Sequence, residues 1–489
     1  MLRYLKQASA MSLTENGALT YRTSGSDCLD LFFRAGAMRA ASEDEIRTIV
    51  LRAFAEDPVA AMRILFYVRD VRGGLGERRF FRIGIRALAD QAPDRVARNI
   101  ALFAEYGRWD DVVALMGTAC RSAAVAEIDR QLRKDIAAMD KGEDVSLLAK
   151  WLPSANASSQ ETRRMGRRMA AALKMDERTY RQTLSALRDY IDILENRLRE
   201  QDYTFDYDSQ PSCALFRYRK AFLRNDGDRY RAFLDSVQSG EKTLNASALY
   251  PYQIVRRCLE SYGLSADERR SLDLTWRSLP AYGDREENAI AVIDGSGSMT
   301  WNGDPSMRPL DVALSLGLYF AQHSKGAFAD HFITFSQTPR LIEIKGRDIV
   351  EQAQYCAGFN EVANTDLEAV FRLILDAAVK NALPQEELPS KIYVISDMEF
   401  DSCVCSGREA TLFDAVQQEF ADAGYALPQV VFWNVASRNS TIPVSMSTNG
   451  AALVSGASPS VFDMVISGGT DPADVMRAVL ESPRYAAIQ

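Results

Sequence analysis

Between residues 28 and 280 apolar positions recur every three or four residues, in runs broken by short polar or glycine-rich stretches. Ser42-Glu-Asp-Glu45 pairs a hydroxyl with a carboxylate three positions on, a capping box that predicts a helix start before Ile46–Phe54. Asp57-Pro58 predicts a second start, since proline fits the first turn of a helix, where its missing N–H costs nothing. That helix continues through Ala60–Val68. Arg72-Gly-Gly-Leu-Gly76 then breaks the pattern, and Glu77–Leu88 resumes it. Later helical stretches are expected at Val96–Tyr106, Trp109–Leu115, Ala124–Met139, Ser159–Lys174, Asp176–Arg199, Phe216–Arg224 and Ile254–Tyr262.

After Ser278-Leu-Pro-Ala-Tyr-Gly283 the texture changes to strands alternating with helices. Strands are expected at Ala289–Ile293, His331–Phe335, Leu341–Ile344, Ile392–Ile395, Val430–Asn434 and Ala452–Val454. Helices fall between several of them, notably Pro309–His323, Leu367–Val379 and Thr411–Ala423. This alternation predicts a doubly wound, mainly parallel sheet, the kind that binds ligands beyond the carboxyl ends of its strands. The expected fold class is therefore α + α/β. Residues 1–27 read as an N-terminal extension, 28–280 as an all-helical domain and 285–489 as a Rossmann-like α/β domain. Paired helices with short breaks suggest HEAT-like or armadillo-like repeats, although no strict sequence period recurs.

A chain of 489 residues is too long for one core, which agrees with two or more domains. No apolar run approaches the ~20 residues that span a bilayer. The stretch Met1–Met11 lacks the apolar core of a signal peptide. Seven scattered cysteines, an odd number, argue against a disulfide framework and for a reducing cytoplasm. Cys403-Val-Cys405 is the one close pair, and no second pair or nearby histidine completes a zinc set. Charge is divided unevenly: residues 1–280 hold 45 Lys+Arg against 39 Asp+Glu, the remainder 13 against 27. A mildly basic helical part is thus joined to an acidic α/β part, and only the former suits a polyanion.

The chemistry concentrates in Ala291-Val-Ile-Asp-Gly-Ser-Gly-Ser-Met299. An apolar strand ends in Asp294, and Ser296 and Ser298 follow at alternate positions on a loop that glycines allow to curl. Convergent hard oxygen donors suit Mg²⁺, Mn²⁺ or Ca²⁺. Two later segments have a matching texture: Asn364-Thr365-Asp366, opening a helical pattern, and Lys391-Ile-Tyr-Val-Ile-Ser-Asp397, an apolar strand ending in a carboxylate. The first run resembles the opening segment of the metal-ion-dependent adhesion site (MIDAS) of von Willebrand factor A (vWA) domains, and the order and spacing of the other two match that family. The resemblance implies that Ser296, Ser298 and Thr365 contact the metal directly, while Asp294 and Asp397 act largely through bound water. Such a cage leaves a coordination position open to a carboxylate or phosphate of a partner.

Helices followed by a C-terminal vWA domain resemble the Ro (SS-A) autoantigen architecture, in which a TROVE ring of helical repeats is closed by such a domain. A nearer resemblance is to a TROVE-like vWA family. It is carried by Asp70-Val-Arg-Gly-Gly-Leu-Gly-Glu-Arg78, Tyr106-Gly-Arg-Trp-Asp110, Lys150-Trp-Leu-Pro-Ser154, Leu244-Asn-Ala-Ser-Ala-Leu-Tyr-Pro251, Ser396-Asp-Met-Glu-Phe-Asp401 and Val431-Phe-Trp-Asn434. The Ro resemblance implies binding of structured or single-stranded non-coding RNA by the helical domain, as part of a ribonucleoprotein. Candidate contacts are Arg78, Arg79 and Arg82, then Arg163, Arg164, Arg167, Arg168 and Lys174. Phosphate contacts of this kind give salt-dependent, sequence-tolerant affinity. Phe216-Arg-Tyr-Arg-Lys220 interleaves aromatic and basic residues, a pattern shared by stacking platforms and by ordinary half-buried helices.

Little points to catalysis. The two histidines, His323 and His331, have no spaced partners for zinc or a triad, and Gly73-Gly-Leu-Gly76 lacks the continuation of a phosphate-binding loop. Glu399 and Asp401 read as a loop tuning the metal site. Two functions remain, both non-enzymatic: an RNA-binding scaffold of Ro type whose metal recruits an acidic ligand, or a metal-dependent protein-interaction scaffold without RNA.

Overall fold

The computed structural model describes residues 11–260, 263–282, 287–300, 307–336, 338–359, 366–400, 412–437, 439, 441–467 and 471–489. Thr365, Asp401, Cys403 and Cys405 lie outside the described residues.

From Asp27 to Arg277 the chain is helical, and the starts read from the sequence hold for stated reasons. Ser42 Oγ accepts from the Glu45 N–H at 3.2 Å while the Glu45 carboxylate accepts from the Ser42 N–H at 2.8 Å, closing the box ahead of Glu43–Glu56. Asp57 accepts from the N–H groups of Val59 and Ala60, with Pro58 as the first residue of Pro58–Arg69. Other stretches divide. Val96–Tyr106 becomes Pro93–Asn99, a 3₁₀ turn and Phe103–Tyr106. Asp176–Arg199 becomes Glu177–Tyr190 and Leu194–Arg199, parted at Asp192, whose φ is +50°. Two further helices, Gly227–Gln238 and Ala266–Arg277, follow stretches whose polar faces mask their apolar stripe. No helix among the described residues is long and apolar enough to cross a membrane.

The second half forms a six-stranded sheet from β3 (Ala289–Asp294), β4 (His331–Phe335), β5 (Leu341–Glu343), β6 (Lys391–Ser396), β7 (Gln429–Asn434) and β8 (Ala451–Ser455). Their order is β5-β4-β3-β6-β7-β8, parallel throughout except for the antiparallel edge strand β5. Helices follow β3, β5 and β6, as the alternation predicted, but β7 runs on to β8 with no helix among the described residues between them. Both β3 and β6 are buried along their whole length, which explains why they read as unbroken apolar runs. The helix Pro309–His323 is buried nearly all round, and Gly317 lets it settle on Ile293 where a Cβ would collide.

Of the residues read as an N-terminal extension, 11–21 belong structurally to the α/β domain. β1 (Met11–Leu13) and β2 (Leu19–Tyr21) form a hairpin that bonds to it at Phe400 and Ile442. Conversely, the C-terminal residues dock on the helical domain. Arg484 holds the buried Asp70 with two N–H groups, Tyr485 donates to the same carboxylate at 3.1 Å, and Asn99 exchanges bonds with Gln489. The α/β domain touches both ends of the helical run. Asp27–Ala35 packs on β8, where Gly36 and Gly456 meet with no room for a Cβ between them. At the far end Arg269 grips Asp348 through a bidentate pair at 2.7 to 3.0 Å, and Trp276 donates to Gln322 at 2.7 Å. The helical run also closes on itself: Tyr250 donates to the carbonyl of Leu75 at 3.1 Å, and Arg39 lies over Tyr252.

Candidate functional site

Asp294 stands at the carboxyl end of β3 and Asp397 directly after β6, both fully or almost fully buried. Because β3 and β6 are neighbours in register, Ile293 against Ile395, their ends bring the two carboxylates together. Asp294 accepts from the backbone N–H of Ser296 at 2.9 Å, which curls the loop back over the strand end. The hydroxyls of Ser296 and Ser298 then lie 2.9 Å apart. Four of the five residues named from the sequence are thus gathered at the carboxyl end of the two central strands; Thr365 falls in the segment that is not described. Its neighbour Asp366 caps the Leu367–Asn381 helix, accepting from Ala369 at 2.9 Å.

Burial, and after it the charge of Asp397, push the Asp294 carboxyl above the usual carboxylate range, with hydrogen bonds from Ser396 and Ser296 pulling the other way. Two adjacent buried carboxylates are costly unless a positive charge or donors compensate. Ser396 supplies one compensation, donating its hydroxyl to Asp294 at 2.6 Å and accepting from the Met398 N–H at 3.0 Å. Among the described residues no three His, Cys, Asp or Glu side chains cluster as a cage, so any ligand set here depends on the hydroxyls. Glu399 feels the charge of Asp397, but its own hydrogen bonds lie elsewhere. Its carboxylate accepts from the Glu15 N–H at 2.7 Å and from Asn439 and Thr441 at 3.2 and 3.3 Å, tying the β1–β2 hairpin to the sheet. The histidines are accounted for locally: His323 stacks on Tyr319, and His331 bonds to the Ala329 carbonyl.

The basic residues named from the sequence divide into committed and open groups. Arg82 is held by Asp110 and Asp111 at 2.7 and 2.6 Å, with only a quarter of its side chain exposed. Arg163 bonds to the carbonyls of Ala157 and Ser158, and Arg167 pairs with Glu177 at 3.2 Å. Arg164 and Arg168 are exposed on the Gln160–Ala172 helix and have no carboxylate partner among the described residues. Arg78 is exposed likewise, while Arg79 donates to the carbonyls of Arg39 and Ala41. Lys174, just past that helix, has a φ of +56°. The Phe216–Lys220 stretch lies on a half-buried helix, where Arg219 is buried over Phe216 and only the remaining basic side chains face outward.

Residues 14–128 and 123–281 match a family described as a domain of unknown function, DUF2828. The chain belongs to the DUF2828 family. Residues 288–482 match a second domain of unknown function, DUF7788. The chain is 27% identical to uncharacterized protein L728 of Acanthamoeba polyphaga mimivirus over 512 aligned positions, 96% of this chain and 87% of that protein. The crystal structure of the Deinococcus radiodurans RO (RSR) protein superposes with a TM-score of 0.47 at 15% identity, covering 94% of this chain and 99% of that one. So loose a superposition assigns neither topology nor activity.

In this DUF2828 protein the glycine-rich motif is architectural. A Cβ on Gly74 would run into the Tyr67 carbonyl, one on Gly76 into the Tyr250 hydroxyl, and one on Gly107 into the Arg69–Asp111 pair. Gly107 thus lies directly against a buried guanidinium, Arg69, bonded to Asp111 at 2.7 Å. Sequence reasoning passed over Arg69, Asp111 and Ser396 because each acts through a partner distant in the chain. The one trace in the sequence was position: Ser396 opens a motif already singled out, and Arg69 and Asp111 each stand immediately beside one.

Proposed function

We propose that this protein is a non-enzymatic, cytoplasmic RNA-binding scaffold of Ro type, whose HEAT-like helical domain holds RNA and whose vWA-type domain recruits an acidic ligand through a divalent metal. The observation that carries the RNA reading is the row of exposed arginines on Gln160–Ala172, with Arg164 and Arg168 free of carboxylate partners among the described residues. Arginines held by structure would all be paired; these are left for a polyanion. The metal reading is supported by donor chemistry. Asp294, Asp397, Ser296 and Ser298 are hard oxygen donors with two carboxylates in repulsive contact, a set suited to Mg²⁺, or to Mn²⁺ or Ca²⁺. Thr365 would complete it. A bound cation would relieve the repulsion and offer an open position to an acidic side chain or phosphate. A metal-dependent protein-interaction scaffold without RNA is the second reading, favoured by the commitment of Arg82, Arg163 and Arg167 to partners within the protein.

Mobility-shift titrations with structured and single-stranded RNA across a salt series separate the two. The first reading expects the logarithm of the affinity to fall linearly with the logarithm of salt concentration. Absence of binding, or binding indifferent to salt, leaves the second.

A further inference from the structure

A cavity of about 360 Å³ opens where the first helices of the helical domain meet the last. One side is built by Arg39, Arg69, Arg78, Arg79 and Arg108: Arg78 and Arg108 come from two of the motif stretches, Arg69 and Arg79 flank the first of these, and Arg39 lies on the loop before Glu43–Glu56. The other side is aromatic: Tyr250 and Tyr252 stack with centroids 6.1 Å apart. Arg39 is paired with Glu77 and Arg69 with Asp111, while Arg108 shares Asp110 with Arg82 and lies 4.0 Å over the Trp151 ring. The nearby Asp70 is taken by Arg484. With Arg82 counted in, six guanidiniums therefore share three carboxylates, and Arg78 and Arg79, which have no carboxylate partner among the described residues, are exposed at the rim. Burial holds Arg108 below its usual value, Asp110 opposes this, and the Arg78 and Arg69 charges add to it. Such crowding of like charge is unfavourable unless an anion enters.

We propose that this cavity receives the phosphate group of a nucleotide, either the terminal phosphate of an RNA strand or that of a free mononucleotide. The choice of nucleotide rests on the RNA reading above. A terminal phosphate carries close to two charges and three acceptor oxygens, so it answers the surplus better than one carboxylate. Guanidinium forks match its geometry in pairs, and the tyrosine wall offers a flat apolar neighbour to the attached sugar and base. The cavity volume lies within the range of small-ligand sites.

Fluorescence anisotropy on the full chain tests the site, using labelled oligouridylates with a 5′-phosphate, a 3′-phosphate or hydroxyl ends, with AMP as competitor. A terminal phosphate should tighten binding by about tenfold. That increment should vanish in Arg78→Gln/Arg79→Gln. Arg164→Gln/Arg168→Gln should weaken all the strands alike and keep the increment. An increment without AMP competition assigns the strand terminus, and AMP binding that depends on Arg78 and Arg79 assigns the free nucleotide. Equal affinity for all strands together with no AMP binding, or an increment that survives Arg78→Gln/Arg79→Gln, overturns the proposal and leaves RNA binding standing. AMP binding lost in Arg78→Gln/Arg79→Gln, with no strand bound, upholds the cavity and overturns the RNA reading.

Discussion

Asp294 lies under two opposing demands. Its strand carries it into a dry position beside Asp397, and among the described residues Ser396 and the turn at Ser296 supply its donors. If the pair holds a metal, Asp294→Ala should abolish Mn²⁺ uptake measured by calorimetry while the helical circular dichroism of the protein stays unchanged. Uptake that persists in the variant would refute the ligand assignment. Asp294, Ser296, Ser298 and Asp397 were legible in the sequence because alternate polar residues after an apolar run mark a strand end. Ser396 was written in the same run, yet its role was not. Only the β3–β6 register aims its hydroxyl at Asp294.

Among elements, strands were read more closely than helices. β4 and the helix Pro309–His323 have the bounds that alternation and proline placement indicated. A buried parallel strand is a short apolar run between polar loops, which leaves little freedom in its limits. The breaks at Ile100–Leu102 and Asp192 have no such signal. The first lies beside Asn99, which the chain's last residues grip, so its cause is tertiary. The Arg72–Gly76 connection was recognised as a break, but the sequence does not say what requires its glycines. Their actual constraint is the lack of space against Tyr67 and Tyr250. Gly74→Ala should therefore cost about 2–4 kcal/mol in urea unfolding, since the Tyr67 backbone must shift. A loss below half a kcal/mol would show that the loop has room.

At the scale of the whole molecule, each terminus belongs to the other half: the β1–β2 hairpin completes the α/β domain, and Arg484 and Tyr485 seal the helical one. Asp70 is wholly buried, so Arg484→Ala leaves it with weaker neutral donors and should cost about 3 kcal/mol. Adding Asp70→Asn should recover part of that loss, because the uncompensated charge is then gone. No recovery in denaturant titrations would mean that Arg484 stabilises through packing alone.

The sequence by itself determined the two-part organisation, the limits of the α/β strands to within a residue and the strand-end placement of Asp294, Ser296, Ser298 and Asp397, since local periodicity and strand-end polarity fix them, whereas the β3–β6 register brings the two carboxylates together. Tertiary structure alone decided that the helical run closes on itself and on the α/β domain. It also decided which arginines are committed and which stay open. These depend on pairs such as Arg484–Asp70, Arg269–Asp348 and Tyr250–Leu75. A residue's sequence neighbourhood sets its conformation, but the charge or hydrogen bond that it meets across the fold is set by the closure of the whole chain.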